Sequence, residues 1–173
     1  MSSASRWSAA RAPRCALAPD EYRIKAAFLY NFGRYGKWPE PTFKDREAPL
    51  RIAVIASEAF GKVLEHLIEH KKAGTHPALT ANFASAQELG ERQFLYVPSS
   101  EEKNLAQIKR ACKDKSVLVV DDSLEVAEHG TQVGFHLDKA KVRFAINTDA
   151  VRLAKLEVST ELLELARVIE EGK

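Results

Sequence analysis

Few side chains in this sequence fall at spacings that chemistry demands. The sharpest grouping is HLIEH, residues 66–70. It fits H-x-x-E-H, in which two histidines one helical turn apart hold zinc and the glutamate between them serves as base. His66, Glu69 and His70 would take those roles, but a catalytic zinc needs three protein ligands and no third is identifiable. Beside Lys62 and Lys72, the same residues read more simply as the solvated flank of a helix. No metal is therefore expected. Asp121 and Asp122 close the run SVLVVDD, residues 116–122, where phosphate-handling enzymes often place magnesium-binding carboxylates. The companions of such a site, G-x-x-x-x-G-K-[ST] or G-x-G-x-x-G, are missing, and Asp122-Ser123 is an ordinary way to begin a helix. Cys112 would need a base and a lowered pKa to act as a nucleophile, yet its spacing from Leu105 and Ile108 places it on a core-facing stripe. There is no G-x-S-x-G elbow, and His76, His129 and His136 show no ligand spacing. No catalytic residue and no cofactor is assigned, and the chain reads as a non-enzyme.

One further constellation concerns binding. In RFAINTDAVRLAKLEVSTELLELARVI, residues 143–169, a strand stops at Asn147 and turns at once into a helix, exposing the free N–H groups that attract anions. Arg143 lies behind that junction and Arg152 just past it. Asp149 would repel an anion and already complements the helix dipole, so the default is a self-capped helix with the arginines in surface ion pairs.

The elements that position these residues follow from period and punctuation. Asp20 caps a helix through EYRIKAAFLYNFGRYGKW, in which Ile24, Phe28, Phe32 and Tyr35 recur at helical spacing until Pro39. LRIAVIAS, residues 50–57, reads as a strand covered on both faces, and Ser57 caps a helix with Phe60, Leu64, Leu67 and Ile68 on one stripe and Gly74 as its terminator. Strands follow at ALTANFA (78–84) and QFLYVP (93–98), with SAQE (85–88) opening a short helix between them. Ser99 and Glu102 repeat that capping-box spacing ahead of the helix carrying Leu105, Ile108 and Cys112. After the strand at 116–122 comes a short helix around SLEVAEHG. TQVGFHL and KVRFAIN then form an antiparallel pair joined by DKA, and two helices split at Leu156 to Ser159 finish the chain. The alternation predicts an α/β fold: a three-layer α/β/α sandwich with a mostly parallel sheet and a C-terminal antiparallel hairpin.

Composition narrows the function classes. The 173 residues are 45% hydrophobic, enough for one core without staples, so residues 20–173 are expected to form a single domain. The net charge is +2, with 26 basic residues dispersed among 24 acidic ones, so no nucleic-acid partner is expected. Residues 1–19, MSSASRWSAARAPRCALAP, carry neither acidic residues nor an apolar signal core and read as a disordered leader. Cys15 and Cys112 do not suggest a disulfide framework.

IKAAFLYNFGRYGKWP, residues 24–39, resembles the opening signature of the YfiR family of small periplasmic proteins, which typically begins V-K-A-A-F-L-Y-N-F and ends in W-P. KVRFAINTDAVRLAKLEVSTELLELARVI, residues 141–169, is similar to its closing signature. The FG of EAFGKVL, VLVVDD and EHGTQVGF fall between them in the family's order. Departures are His129-Gly130 in place of two glycines, Ala154-Lys155-Leu156 in place of A-G-L, and ERQ where a cysteine often opens the third strand. The resemblance implies an α/β/α domain, often a homodimer, exported to the periplasm. It implies a non-catalytic regulator that represses a membrane diguanylate cyclase, or a related sensor, by binding its extracytoplasmic part. An outer-membrane lipoprotein would sequester that regulator. It also marks Arg143, Arg152 and Arg167, which together with Asn147 at the strand-to-helix junction are the candidate ligand-binding residues.

The first helix carries Phe28, Tyr30, Phe32, Tyr35 and Trp38, more aromatics than one face of a small domain can bury. These are candidates for a partner surface or dimer seam, against the plain alternative of a helix enclosed by its neighbours.

Overall fold

The computed structural model describes residues 19–88, 90–122 and 130–170. The expected leader and the helix around SLEVAEHG lie outside them, apart from Pro19 and Gly130. In chain order the elements are α1 (Pro19–Tyr35), β1 (Gly36–Lys37), β2 (Leu50–Ile55), α2 (Glu58–Ile68), β3 (Lys72–Ala73), β4 (His76–Phe83), β5 (Phe94–Val97), α3 (Leu105–Cys112), β6 (Leu118–Asp121), β7 (Val133–Asp138), β8 (Lys141–Asn147), α4 (Thr148–Leu153), β9 (Glu157–Val158), α5 (Thr160–Leu165) and β10 (Arg167–Ile169).

Eight strands form one sheet in the order β10-β8-β7-β6-β5-β2-β4-β3, and β1 pairs with β9 in a small antiparallel ladder. The run β4-β2-β5-β6-β7 is parallel throughout. Its first strand lies inside rather than at an edge, which is the doubly wound arrangement with a switch point between β2 and β5. Because successive side chains alternate across a strand, β2, β5 and β6 feed two cores. One face sends Ile52, Val54, Phe94, Tyr96, Leu118 and Val120 against α1, α2 and Leu162 of α5. The other sends Ala53, Ile55, Leu95, Val97 and Val119 against Leu105 and Ile108 of α3. Helices on both faces complete the expected three layers. The expected hairpin is also present: β7 and β8 pair antiparallel from Val133↔Ile146 to Asp138↔Lys141, with Lys139 and Ala140 both at positive φ in the turn.

Four local readings change. The apolar stripe of α1 is rotated: Ala26, Leu29, Phe32 and Gly33 are buried, while Ile24 and Tyr35 are 44% and 38% exposed. The buried face also takes Lys25, which the apolar period alone could not anticipate. α2 ends at Ile68, His70 rather than Gly74 supplies the left-handed residue after it, and Gly74 instead turns the chain between β3 and β4. Ser57 stands at the N-cap of α2 but makes no side-chain cap bond. The helix expected to run to residue 169 stops at Leu165, and Arg167–Ile169 adds a parallel edge strand beside β8.

Candidate functional site

The zinc reading dissolves on geometry. His66 and Glu69 are exposed, and His70 lies past the helix end at φ 61°, so the two histidines do not share a helical face. Among the described residues, no three His, Cys, Asp or Glu side chains cluster as a metal site would require. Cys112 is a free thiol whose pKa is raised by burial, the opposite of an activated nucleophile.

The carboxylates at the end of β6 are engaged by the protein itself. Lys25 is 2% exposed, and its ammonium lies 2.7 Å from Asp122 Oδ1 and 2.7 Å from Glu21 Oε1. Glu21 reaches it because i and i+4 share a helix face. The Tyr96 hydroxyl donates to Asp122 Oδ2 at 3.3 Å, and burial followed by the Asp122 charge pushes that phenol well above its usual pKa. Thr131 Oγ1 donates to Asp121 Oδ2 at 2.9 Å. The ammonium of Lys25 pairs with the carboxylates of both Glu21 and Asp122, so this corner fastens α1 to the carboxyl end of the sheet. Sequence reasoning named the aspartates but missed Lys25, whose one signal was its spacing from Glu21.

The aromatic helix divides. Phe32 is fully buried, and it and Phe28 both pack against the rings of Phe135 and Phe144. Tyr30 is half-buried, its hydroxyl donates to Lys72 O at 2.8 Å and Lys71 lies over its ring. Trp38 folds back against Phe94 and Phe43, which Gly36 allows, since a Cβ there would stand 2.9 Å from the indole. Most of these rings hold the fold together, and Tyr35 is the one that is clearly exposed. Beside them opens a cleft of about 780 Å³, lined by Arg34, Lys37, Trp38, Phe43 and His76 among others. Phe43 and His76 stack at 3.9 Å as one wall.

The last junction is self-capped. Asn147 is fully buried and its side chain accepts the N–H of Ala150 at 2.9 Å. Arg152 pairs with Asp149 at 3.3 Å on the surface. Arg143 sits at the far end of β8 from this helix start, so the structure does not bring it to Arg152. It does bring Arg143 and Arg167 onto adjacent strands. The end of α4 explains one departure from the family pattern. Lys155 N–H donates to Arg152 O and Leu156 N–H to Val151 O, a Schellman closure that puts Lys155 at φ 58°. That is a conformation natural to glycine.

Residues 22–167 match the family model described as YfiR/HmsC-like. The chain belongs to the YfiR/HmsC-like family. This family comprises periplasmic regulatory proteins, and no helix among the described residues is long and apolar enough to cross a membrane. No curated protein matches the chain. Two similar solved structures are a conserved domain protein from Vibrio cholerae O1 biovar El Tor and the ABC domain in complex with L-Trp from Streptococcus pneumoniae. The first is 11% identical with a TM-score of 0.54, aligned over 87% of this chain and 60% of its own. The second is 10% identical with a TM-score of 0.55, over 86% and 60%. At that identity they support the α/β fold alone, and this chain spans about 60% of the length of each.

Proposed function

We propose that this YfiR/HmsC-like chain is a non-catalytic periplasmic regulator. It binds the extracytoplasmic part of a membrane diguanylate cyclase, or a related sensor protein, and holds it inactive, so lowering cyclic di-GMP. The observation that carries this reading is the family match over residues 22–167. Its mechanism is occupancy: the regulator stabilises one arrangement of its target, and a second binder such as an outer-membrane lipoprotein relieves repression by competing for it. The surface offered is the outer end of α1, with exposed Tyr35 and half-buried Tyr30 close in sequence to the cleft-lining Trp38 and Phe43, and the working unit is a homodimer.

The test is capture by the tagged protein from detergent-solubilised membranes of its host, with cyclic di-GMP measured after deletion of the gene. Retention of one cyclase or sensor, together with a rise in the nucleotide, is expected. An unchanged nucleotide level with no membrane protein retained would overturn the repressor reading.

A second reading is favoured by one specific observation. Arg143 and Arg167 lie on adjacent strands near His136, whose pKa is depressed by burial first and then by both arginines. On this reading the domain senses a small anionic molecule near the last strand, and its occupancy sets the regulatory state.

A further inference from the structure

β7, β8 and β10 carry three basic side chains to one corner of the sheet. His136 and Arg143 are direct cross-strand partners, and Arg167 is in register with Ala145, two residues along β8 from Arg143. Residues two apart on a strand share a face, so His136, Arg143 and Arg167 all project from the face opposite the Phe135 and Phe144 core. Between the rows lie Gly134 and Ala145, both small and both buried.

Two features set this group apart from scattered surface arginines. Arg143 and Arg167 are exposed, and among the described residues neither has an ion-pair partner. His136 Nδ1 is shielded from solvent and has no hydrogen-bond partner among those residues. A guanidinium presents paired N–H donors that match carboxylate or phosphate oxygens, and a protonated imidazole adds another.

We propose that His136, Arg143 and Arg167 form a binding site for a small dianion, a phosphate ester or a dicarboxylate, gated by the protonation of His136. This rests on the sensing reading above and adds His136, the sheet face and the ligand class to it. Burial lowers the pKa of His136 most, and of the charged groups that act on it Arg167 and Arg143 lower it further while Asp138 raises it. In the empty site the imidazole therefore takes up a proton less readily than a free histidine. A bound dianion offsets the two arginines and favours the imidazolium, so anion and proton must reinforce each other by the same factor.

The test uses sulfate, which stays dianionic across the relevant range, added to the full chain at constant ionic strength made up with chloride. NMR follows the His136 ring and the backbone amides. Saturable shifts at His136 and at the Arg143 and Arg167 amides are expected, with affinity tighter at pH 5.5 than at pH 7.5 by about fivefold or more, the lower end of ordinary allosteric couplings. Arg143→Ala and Arg167→Ala should each abolish the response while leaving the urea midpoint unchanged, as both side chains are exposed. Without sulfate, each should also let His136 protonate at higher pH. Shifts that do not saturate, that chloride reproduces or that survive both substitutions would overturn the site. A saturable response confined to Asn147 and Arg152 would overturn this site while leaving the sensing reading standing, and no response anywhere would remove both.

Discussion

Replacing Lys25 by methionine should be among the most damaging single changes in the molecule, although Lys25 is a charged residue on a helix that sequence period alone would leave in solvent. The side chain is 2% exposed, and its partners Glu21 and Asp122 are 14% and 10% exposed, each at 2.7 Å. Methionine keeps the length and the packing over the Phe135 ring, so the change isolates the charge. It leaves two carboxylates facing each other with little water to screen them. Breaking a buried pair by removing one partner costs about 3 to 5 kcal/mol. The residual exposure of both carboxylates argues for the lower end, about 3 kcal/mol. Against a total stability of about 5 to 15 kcal/mol, that is a large fraction. Urea unfolding followed by tryptophan fluorescence and circular dichroism would measure it. Asp122→Asn should cost less when Lys25 is already methionine than in the wild-type chain, by roughly 1 kcal/mol or more of coupling. A loss below about 1 kcal/mol for Lys25→Met, or two additive substitutions, would refute the claim that this network anchors α1.

Gly61→Ala should destabilise by about 1 to 3 kcal/mol, because a Cβ there would stand 1.8 Å from Asn82 Oδ1, and pairing it with Asn82→Ala should recover most of the loss in the same urea assay. Lys155→Gly should stabilise by about 1 kcal/mol and raise the melting temperature, since the Schellman closure holds Lys155 at φ 58° and glycine bears that conformation without a Cβ penalty. Tyr96 makes stability depend on alkaline pH. Its folded pKa is raised above the ordinary 10.0, so its contribution is fully present below pH 10 and is lost as pH climbs from there toward the raised value. The urea midpoint should therefore fall more steeply above pH 10 in the wild type than in Tyr96→Phe, and parallel curves would count against the buried hydrogen bond to Asp122. His136 has the opposite sense: its folded pKa is depressed, so stability present above about pH 6.5 declines on acidification, and less so in His136→Gln.

Much of the fold is written in local pattern. Runs such as LRIAVI and FLYV are apolar on both faces because both faces are covered, and they could be placed as parallel strands without any tertiary information. The β7–β8 hairpin was equally plain, since two β-rich runs three residues apart have one easy way to pair. The strand-to-helix junction at Asn147 is legible in the sequence, but that the Asn147 side chain serves as the cap rather than as a ligand donor is seen only in the structure. Short elements were not legible: β10 has three residues and β9 two, too few for a period, and they exist because β8 and β1 offer open edges.

The candidate sites divide along the same line. Sequence determined which residue types were present and, through two long signatures, pointed to the family that the match over residues 22–167 shows. Only the tertiary structure decided what those residues do. It turned Asp122, just past β6, into a counter-ion for Lys25, because the burial of a charge depends on a partner 97 residues away. It drew Phe32 and Phe28 of the aromatic helix into the core, because Phe135 and Phe144 arrive from the other end of the chain. It parted Arg143 from Arg152 and joined it to His136 and Arg167, because strand register places side chains across a sheet and no spacing within one segment records it.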